Sequence, residues 1–184
     1  ALSFGIEEFD LYVHHVLDRP AIVENTPRPS LILPNWMGEL PRAGQVFMVS
    51  HAMHLLAQGL YPIALLSPRE LDVVLAASAR HVLSNYPAAG VPADTLDDHL
   101  RLILRGLPRR RKRGFESAAE AYARSRPLEM STAVQWMQQT ARRVALIVAD
   151  DLGASLSTLA RMEGYSTGDL ARHPVVGDLM RVWI

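Results

Sequence analysis

Two histidines three residues apart, His51 and His54, lie in PRAGQVFMVSHAMHLLAQG, the segment from Pro41 to Gly59. Val46, Val49, Met53, Leu56 and Ala57 recur there at the three- and four-residue spacing of one helical face. Imidazoles at i and i+3 can share a helical face and bind a divalent metal, so zinc is the first chemistry to weigh. A zinc-peptidase helix of the H-E-x-x-H kind needs more: a second histidine four residues after the first, and a glutamate between them to activate water. Here Ala52 follows His51, and Leu55 fills the fourth position. His51 and His54 are metal candidates only if a carboxylate joins them from elsewhere. The alternative is two helix-surface or hydrogen-bonded histidines.

Other chemistry-bearing residues are sparser. Arg109, Arg110, Arg111, Lys112 and Arg113 form a basic run, preceded by Arg101 and Arg105. Such a patch can meet phosphates, an acidic partner or water. No aromatic residue interleaves it, as single-stranded nucleic-acid binding would favour. Asp97-Asp98 and Asp150-Asp151 are sequence neighbours, which point to different faces of a helix, and Ser50-His51 is a dipeptide without a triad. The chain has no cysteine, which excludes disulfides and thiolate chemistry. Trp36, Trp136 and Trp183 are expected as core or interface anchors.

The elements that must position these residues are mostly helical. Leu11 to Leu17, Ala21 to Glu24 and Ser30 to Leu33 read as short strands, with a turn at Asp18-Arg19-Pro20 and with Pro27, Pro29 and Pro34 at their ends. After Pro41 the pattern is helical. Ser67-Pro68-Arg69-Glu70 is a capping box opening a helix to about Tyr86, with Leu71, Val74, Leu75, Ser78 and Val82 inward. A loop, YPAAGVP, follows; Asp94 can cap a helix to about Gly106, and Phe115 to Arg126 makes another, with Ala119 and Tyr122 inward. Ser131 is the expected cap of TAVQWMQQTARRVALIVAD, whose end from Val144 to Ala149 is apolar nearly all round and is expected to be buried on most sides. Leu152 to Met162 and Val175 to Ile184 supply the last helices.

The order of short strands, a helix bearing V-S-H-A-M-H, further helices and then W-M-Q-Q-T-A-R-R-V-A-L-I-V-A-D-D resembles gluzincin metallopeptidases of the CAAX-processing and heat-shock-protease class. By that resemblance His51 matches the first histidine, Ala52 replaces the catalytic glutamate and Leu55 the second histidine. Gln139 falls near the third ligand, and Arg142 near the aspartate of the later signature. Each departure removes chemistry, so the resemblance implies a catalytically dead peptidase fold. The chain also resembles, more closely, the C-terminal regions of large bacterial tetratricopeptide-repeat proteins, through S-L-I-L-P, F-M-V-S-H-A-M-H-L-L, L-R-L-I-L-R-G-L-P-R-R-R-K-R and A-R-R-V-A-L-I-V-A-D-D-L. That resemblance implies a terminal capping or docking module.

Length and composition fit this reading. The 184 residues suit a single domain, and 49% hydrophobic with 21% charged residues is ordinary for a globular chain. Nineteen basic residues balance nineteen acidic ones, so no global field draws the chain to nucleic acid. No segment approaches the roughly 20 apolar residues of a membrane span. The start at Ala1 without methionine, and the end at Ile184 inside an amphipathic segment, lead us to expect a fragment of a larger protein.

The sequence therefore predicts a mainly α (α+β) cytoplasmic domain with a small N-terminal sheet and zincin-like architecture. It is expected to work without cofactor, catalysis or small-molecule substrate, binding a protein partner or another region of the same larger chain. The alternatives are a divergent metal-dependent hydrolase using His51 and His54, and anion or nucleic-acid binding through Arg105 and Arg109 to Arg113.

Overall fold

The computed structural model describes residues 4–16, 20–26, 28–88, 90–125 and 128–184. Leu17, Asp18, Arg19, Pro27 and Arg126, which the sequence reading placed in strand ends, turns and a helix terminus, lie outside them. The protein is mainly helical with a three-stranded sheet near its N-terminus: among the described residues, β1 (Asp10–His14), β2 (Ile22–Glu24) and β3 (Ser30–Pro34) precede eight α-helices. β3 is central. It pairs in parallel with β1, Asp10 opposite Ser30, and antiparallel with β2, Ile22 opposite Ile32. Its SLILP residues are almost all buried, whereas Leu11, Tyr12 and Val13 of β1 are exposed.

The backbone groups into two compact units, residues 1–65 with 135–184, and residues 66–134. In the first, α1 (Arg42–Ala57) is the centre. Met48, Ala52, Met53 and Leu56 pack with Val23, Leu31, Leu33 and Trp36 of the sheet side. Phe47, one residue from Met48 and so about 100° around the axis, packs instead with Ala145, Leu146, Leu159, Val175 and Leu179. These come from α5 (Met130–Ala149), α6 (Leu152–Glu163) and α8 (Pro174–Trp183); α7 (Thr167–Arg172) adds Leu170 to the same cluster. The expected single apolar face is thus too narrow. Gly44, Ser50 and Ala52 are buried as well, while Ala57 is exposed. Small residues create no hydrophobic stripe, but they let neighbouring helices close in on the other sides.

Gly44 shows why. A Cβ there would run into Thr158 Oγ1 of α6. Thr158 and Ser155 are fully buried, and neither hydroxyl has a hydrogen-bond partner among the described residues. Trp36 is buried with the Arg161 guanidinium 4.5 Å over its ring, and Arg161 also pairs with Glu39 at 2.7 Å.

In the second unit, α2 (Pro68–Ala79) opens on the expected capping box: Ser67 Oγ accepts from the Glu70 N–H, and the Glu70 carboxylate accepts from the Ser67 N–H. The helix ends at Ala79 rather than Tyr86, and the buried residues are Leu71, Ala76, Ala77 and Ala79. Val82, expected inward, lies past the helix and is exposed. Ala76 and Ala77 pack on Leu96 of α3 (Ala93–Gly106), with Tyr86 and Val91 alongside. The α3 cap is Pro92, not Asp94, whose carboxylate instead accepts from the Thr95 N–H inside the first turn. α4 runs Lys112–Arg124 and buries Ala119.

Two expectations about α5 are overturned. Ser131 does not cap it. Glu129 does, its carboxylate accepting from the Ser131 hydroxyl, from the Thr132 N–H at 2.7 Å and from the Ser131 N–H at 3.3 Å, and these bonds, the Ser131 hydroxyl foremost, draw its pKa down to about 2. Nor is the end of α5 surrounded: Ile147 is 64% and Val148 45% exposed. Of the two helices expected to form the core, Pro41 to Gly59 and Ser131 to Ala149, the first is the more fully enclosed. Asp150, with positive φ, makes the turn out of α5, and Asp151 caps α6 through the Ala154 N–H at 2.9 Å.

Gly44→Ala is expected to destabilise the protein by about 1–3 kcal/mol through the clash with Thr158. In a Thr158→Ala background the same change should become neutral or stabilising by up to about 1 kcal/mol, the helix-propensity gain of alanine over glycine. Denaturant melts of the four proteins in this cycle measure the sign reversal.

Candidate functional site

The first unit contains a cavity of about 400 Å³ that gathers most of the polar groups on which chemistry could turn. α1 gives it His51, Ala52 and Leu55, and α5 gives it Gln138 and Arg142. Ala21 and Val23 form the β2 wall, Tyr61 and Ala64 come from a short 3-10 turn, and Met162, Glu163 and Tyr165 come from the end of α6. Residues 51, 52 and 55 reach one wall because they span one helical turn, as do 138 and 142 on α5. Gln139, expected opposite His51, is not a wall residue. Its neighbour Gln138 is, since one residue rotates a side chain by about 100°.

Arg142 organises the electrostatics. One of its Nη atoms donates to the Glu163 carboxylate and to Gln138 Oε1, the latter at 3.3 Å. The pair is mostly buried, with side-chain exposures of 12% for Arg142 and 23% for Glu163, so solvent screens it little. Tyr165 extends the chain of contacts. His173 Nδ1 accepts from the Val175 N–H, leaving Nε2 to donate to the Tyr165 hydroxyl oxygen at 3.3 Å. The rings stand 4.7 Å apart, and burial, with the Glu163 carboxylate nearby, raises the phenol pKa.

His51 is half-buried as a residue, but its Nε2 is shielded from solvent and has no hydrogen-bond partner among the described residues. Burial, then the positive charge of Arg142, then His54, lower its pKa to about 4. The imidazole is therefore neutral at pH 7. Arg142 Nε is likewise shielded and unpartnered. His54 lies outside the cavity wall, its pKa lowered by burial. Of the two histidines, only His51 lines this cavity. Among the described residues no three His, Asp or Glu side chains are grouped so as to hold a metal ion.

The other sequence candidates lie in the second unit. Arg105 is in the last turn of α3; Arg109–Arg111 form one turn of 3-10 helix; Lys112 and Arg113 open α4. All six are exposed, and none pairs with a carboxylate among the described residues. Because successive residues turn by about 100–120°, the five of the run radiate round the axis instead of lining one face. Asp97 and Asp98 have structural partners, Arg80 at 3.0 Å and Arg101 at 2.8 Å. Sequence reasoning missed Glu163 and Tyr165. Glu163 ends α6 and Tyr165 follows it, neither with a motif or periodic signal, and only the packing of α6 on α1 brings them to the His51 side.

An NMR titration is expected to show His51 neutral until about pH 4. Because the unfolded chain takes up this proton near pH 6.5, the stability from neutral His51 is complete above pH 6.5 and falls as pH drops towards 4. The loss should approach about 3 kcal/mol, and His51→Gln should remove this part of the acid sensitivity. Neither a family model, nor a curated protein, nor a solved structure matches the chain.

Proposed function

We propose that the chain is a non-catalytic protein-interaction domain on a zincin-like frame, with the outward face of α5 as its contact surface. The observation that carries this reading is the exposure of Trp136 and Ile147, each 64% exposed, on a helix whose opposite side lines the cavity. Positions 136, 140, 143 and 147 recur at helical spacing, so Trp136, Thr140, Arg143 and Ile147 form one strip. Arg143 is fixed within it by a two-pronged pair to Asp178 of α8, with Nε to Oδ2 at 2.9 Å. Val182, one turn beyond Asp178, adds exposed apolar surface. An exposed tryptophan beside an ordered arginine has the composition of an interface hot spot.

Two further features support the zincin-like, non-catalytic part. Strands precede a helix whose His51, Ala52 and Leu55 share a cavity with α5, the helix order that the resemblance implies. In that cavity Glu163, the carboxylate that could join His51 on a metal, is already paired with Arg142, and Ala52 offers no base. The hydrolase reading would need His51 and His54 together, yet only His51 faces the cavity.

A photo-crosslinking residue placed at position 147 and expressed in the native host should give one discrete protein adduct. Trp136→Ser should abolish it while changing stability by no more than about 0.5 kcal/mol. The same adduct from a probe at Ser117, or none from position 147, defeats the reading. Protein purified without chelator should contain far less than one zinc per chain. A full equivalent that disappears in His51→Ala would restore the hydrolase reading.

A further inference from the structure

The sheet of the first unit ends on an edge that the fold leaves open. Among the described residues β1 pairs only with β3, and Leu11, Tyr12 and Val13 are each more than half exposed. Leu11 and Val13 stand opposite Leu31 and Leu33, so they prolong the face that packs on α1 past the point where it is covered. Tyr12 stands opposite Ile32 on the other face. Edge strands are ordinarily blunted by proline, lysine or a bulge, and DLYVH has none of them.

Backbone geometry fixes which groups are open. The Asp10 N–H donates to the Pro29 carbonyl at 2.8 Å. In a parallel pair such a residue turns both its N–H and its C=O to the neighbouring strand, and the next residue turns both away. Asp10, Tyr12 and His14 are therefore turned to β3, and Leu11 and Val13 present their N–H and C=O groups at the free edge. Residues that exchange both bonds in an antiparallel pair lie directly opposite each other. When two copies of β1 meet about a two-fold axis at Tyr12, Leu11 of each faces Val13 of the other, and every open group finds a partner.

Charge favours the same direction. Glu7, Glu8 and Asp10 lie at one end of this stretch, His14 and His15 at the other. Antiparallel pairing about Tyr12 sets Asp10 opposite His14, whereas parallel pairing in register would set carboxylate against carboxylate. Within one chain Asp10 pairs with Arg28 at 3.0 Å and His14 Nε2 donates to the Pro20 carbonyl at 3.2 Å. Charge across the axis therefore sets direction, and the main-chain bonds and apolar contacts supply the affinity. A two-fold contact also closes on itself, since each copy uses the same edge.

We propose that β1 is the edge through which two copies of this chain pair, antiparallel about Tyr12, to make one continuous sheet. The contact is small, and its dissociation constant is expected on the order of 10–100 μM. It is separate from the α5 surface.

Sedimentation of the full chain from about 5 to about 500 μM should show a reversible monomer–dimer equilibrium. Val13→Lys, at a position already open to water, should weaken it at least about tenfold without lowering the melting temperature at the lowest concentration. Because the chain has no cysteine, single cysteines can report the register. Tyr12→Cys places the two thiols at a non-hydrogen-bonded pair with Cα atoms about 4.5 Å apart, within reach of a disulfide. Under mild oxidation it should cross-link at least about tenfold faster than Leu11→Cys, whose two thiols lie diagonally across the axis. Trp136→Ser should leave the dimer unchanged. Loss of the dimer in that variant would move self-association to α5 and overturn the proposal, as would equal cross-linking of the two cysteine variants. A monomer over the whole range would also overturn it, leaving the edge to an extended segment of a different protein.

Discussion

Everything in the first unit depends on the burial of α1 from several sides at once. Met48 and Met53 face the sheet side while Phe47 faces the α6 and α8 cluster, so one helix joins two hydrophobic clusters. That arrangement needs a close approach on a side without large apolar residues. Gly44 against Thr158 provides it, at the cost of burying two hydroxyls without partners. Buried hydroxyls of this kind are tolerated when the packing gained around them exceeds the hydrogen bonds forgone.

The same crossing places chemistry. α6 packs on α1, so the end of α6 brings Glu163 and Tyr165 to the His51 side of the helix. There Glu163 neutralises Arg142, and Arg142 together with burial keeps His51 uncharged. The result is a polar but electrically neutral recess, unlike the anionic ligand set that would attract a divalent metal. α5 serves both sides of this arrangement: Gln138 and Arg142 face the recess, and Trp136 and Ile147 face outward.

Local signals were the most legible. The Ser67 capping box is formed as expected because its atoms lie within four residues of one another. The three strands fall within two or three residues of their expected bounds, since short β-branched runs between prolines have few alternatives. Failures came where burial had to be assigned. The run from Val144 to Ala149 carries apolar residues all round, which ordinarily marks a central helix, yet Ile147 and Val148 remain exposed. α1 is buried more completely although its far side is marked only by Gly44, Ser50 and Ala52. Small residues give periodicity methods nothing to count.

By itself, the sequence determined most of the helical segments, α7 excepted, where α2 begins, and that Ala52 and Leu55 deprive His51 of the neighbours that zinc hydrolysis needs. These are properties of local spacing and side-chain chemistry. Only the tertiary structure decided how completely α1 is enclosed, which face of α5 is exposed, and that Arg142 and Glu163 pair beside a neutral His51. Glu163 lies 21 residues after Arg142 and 112 after His51 in the chain. Their meeting follows from the close packing of α1 and α6, a long-range steric fit that no local spacing encodes.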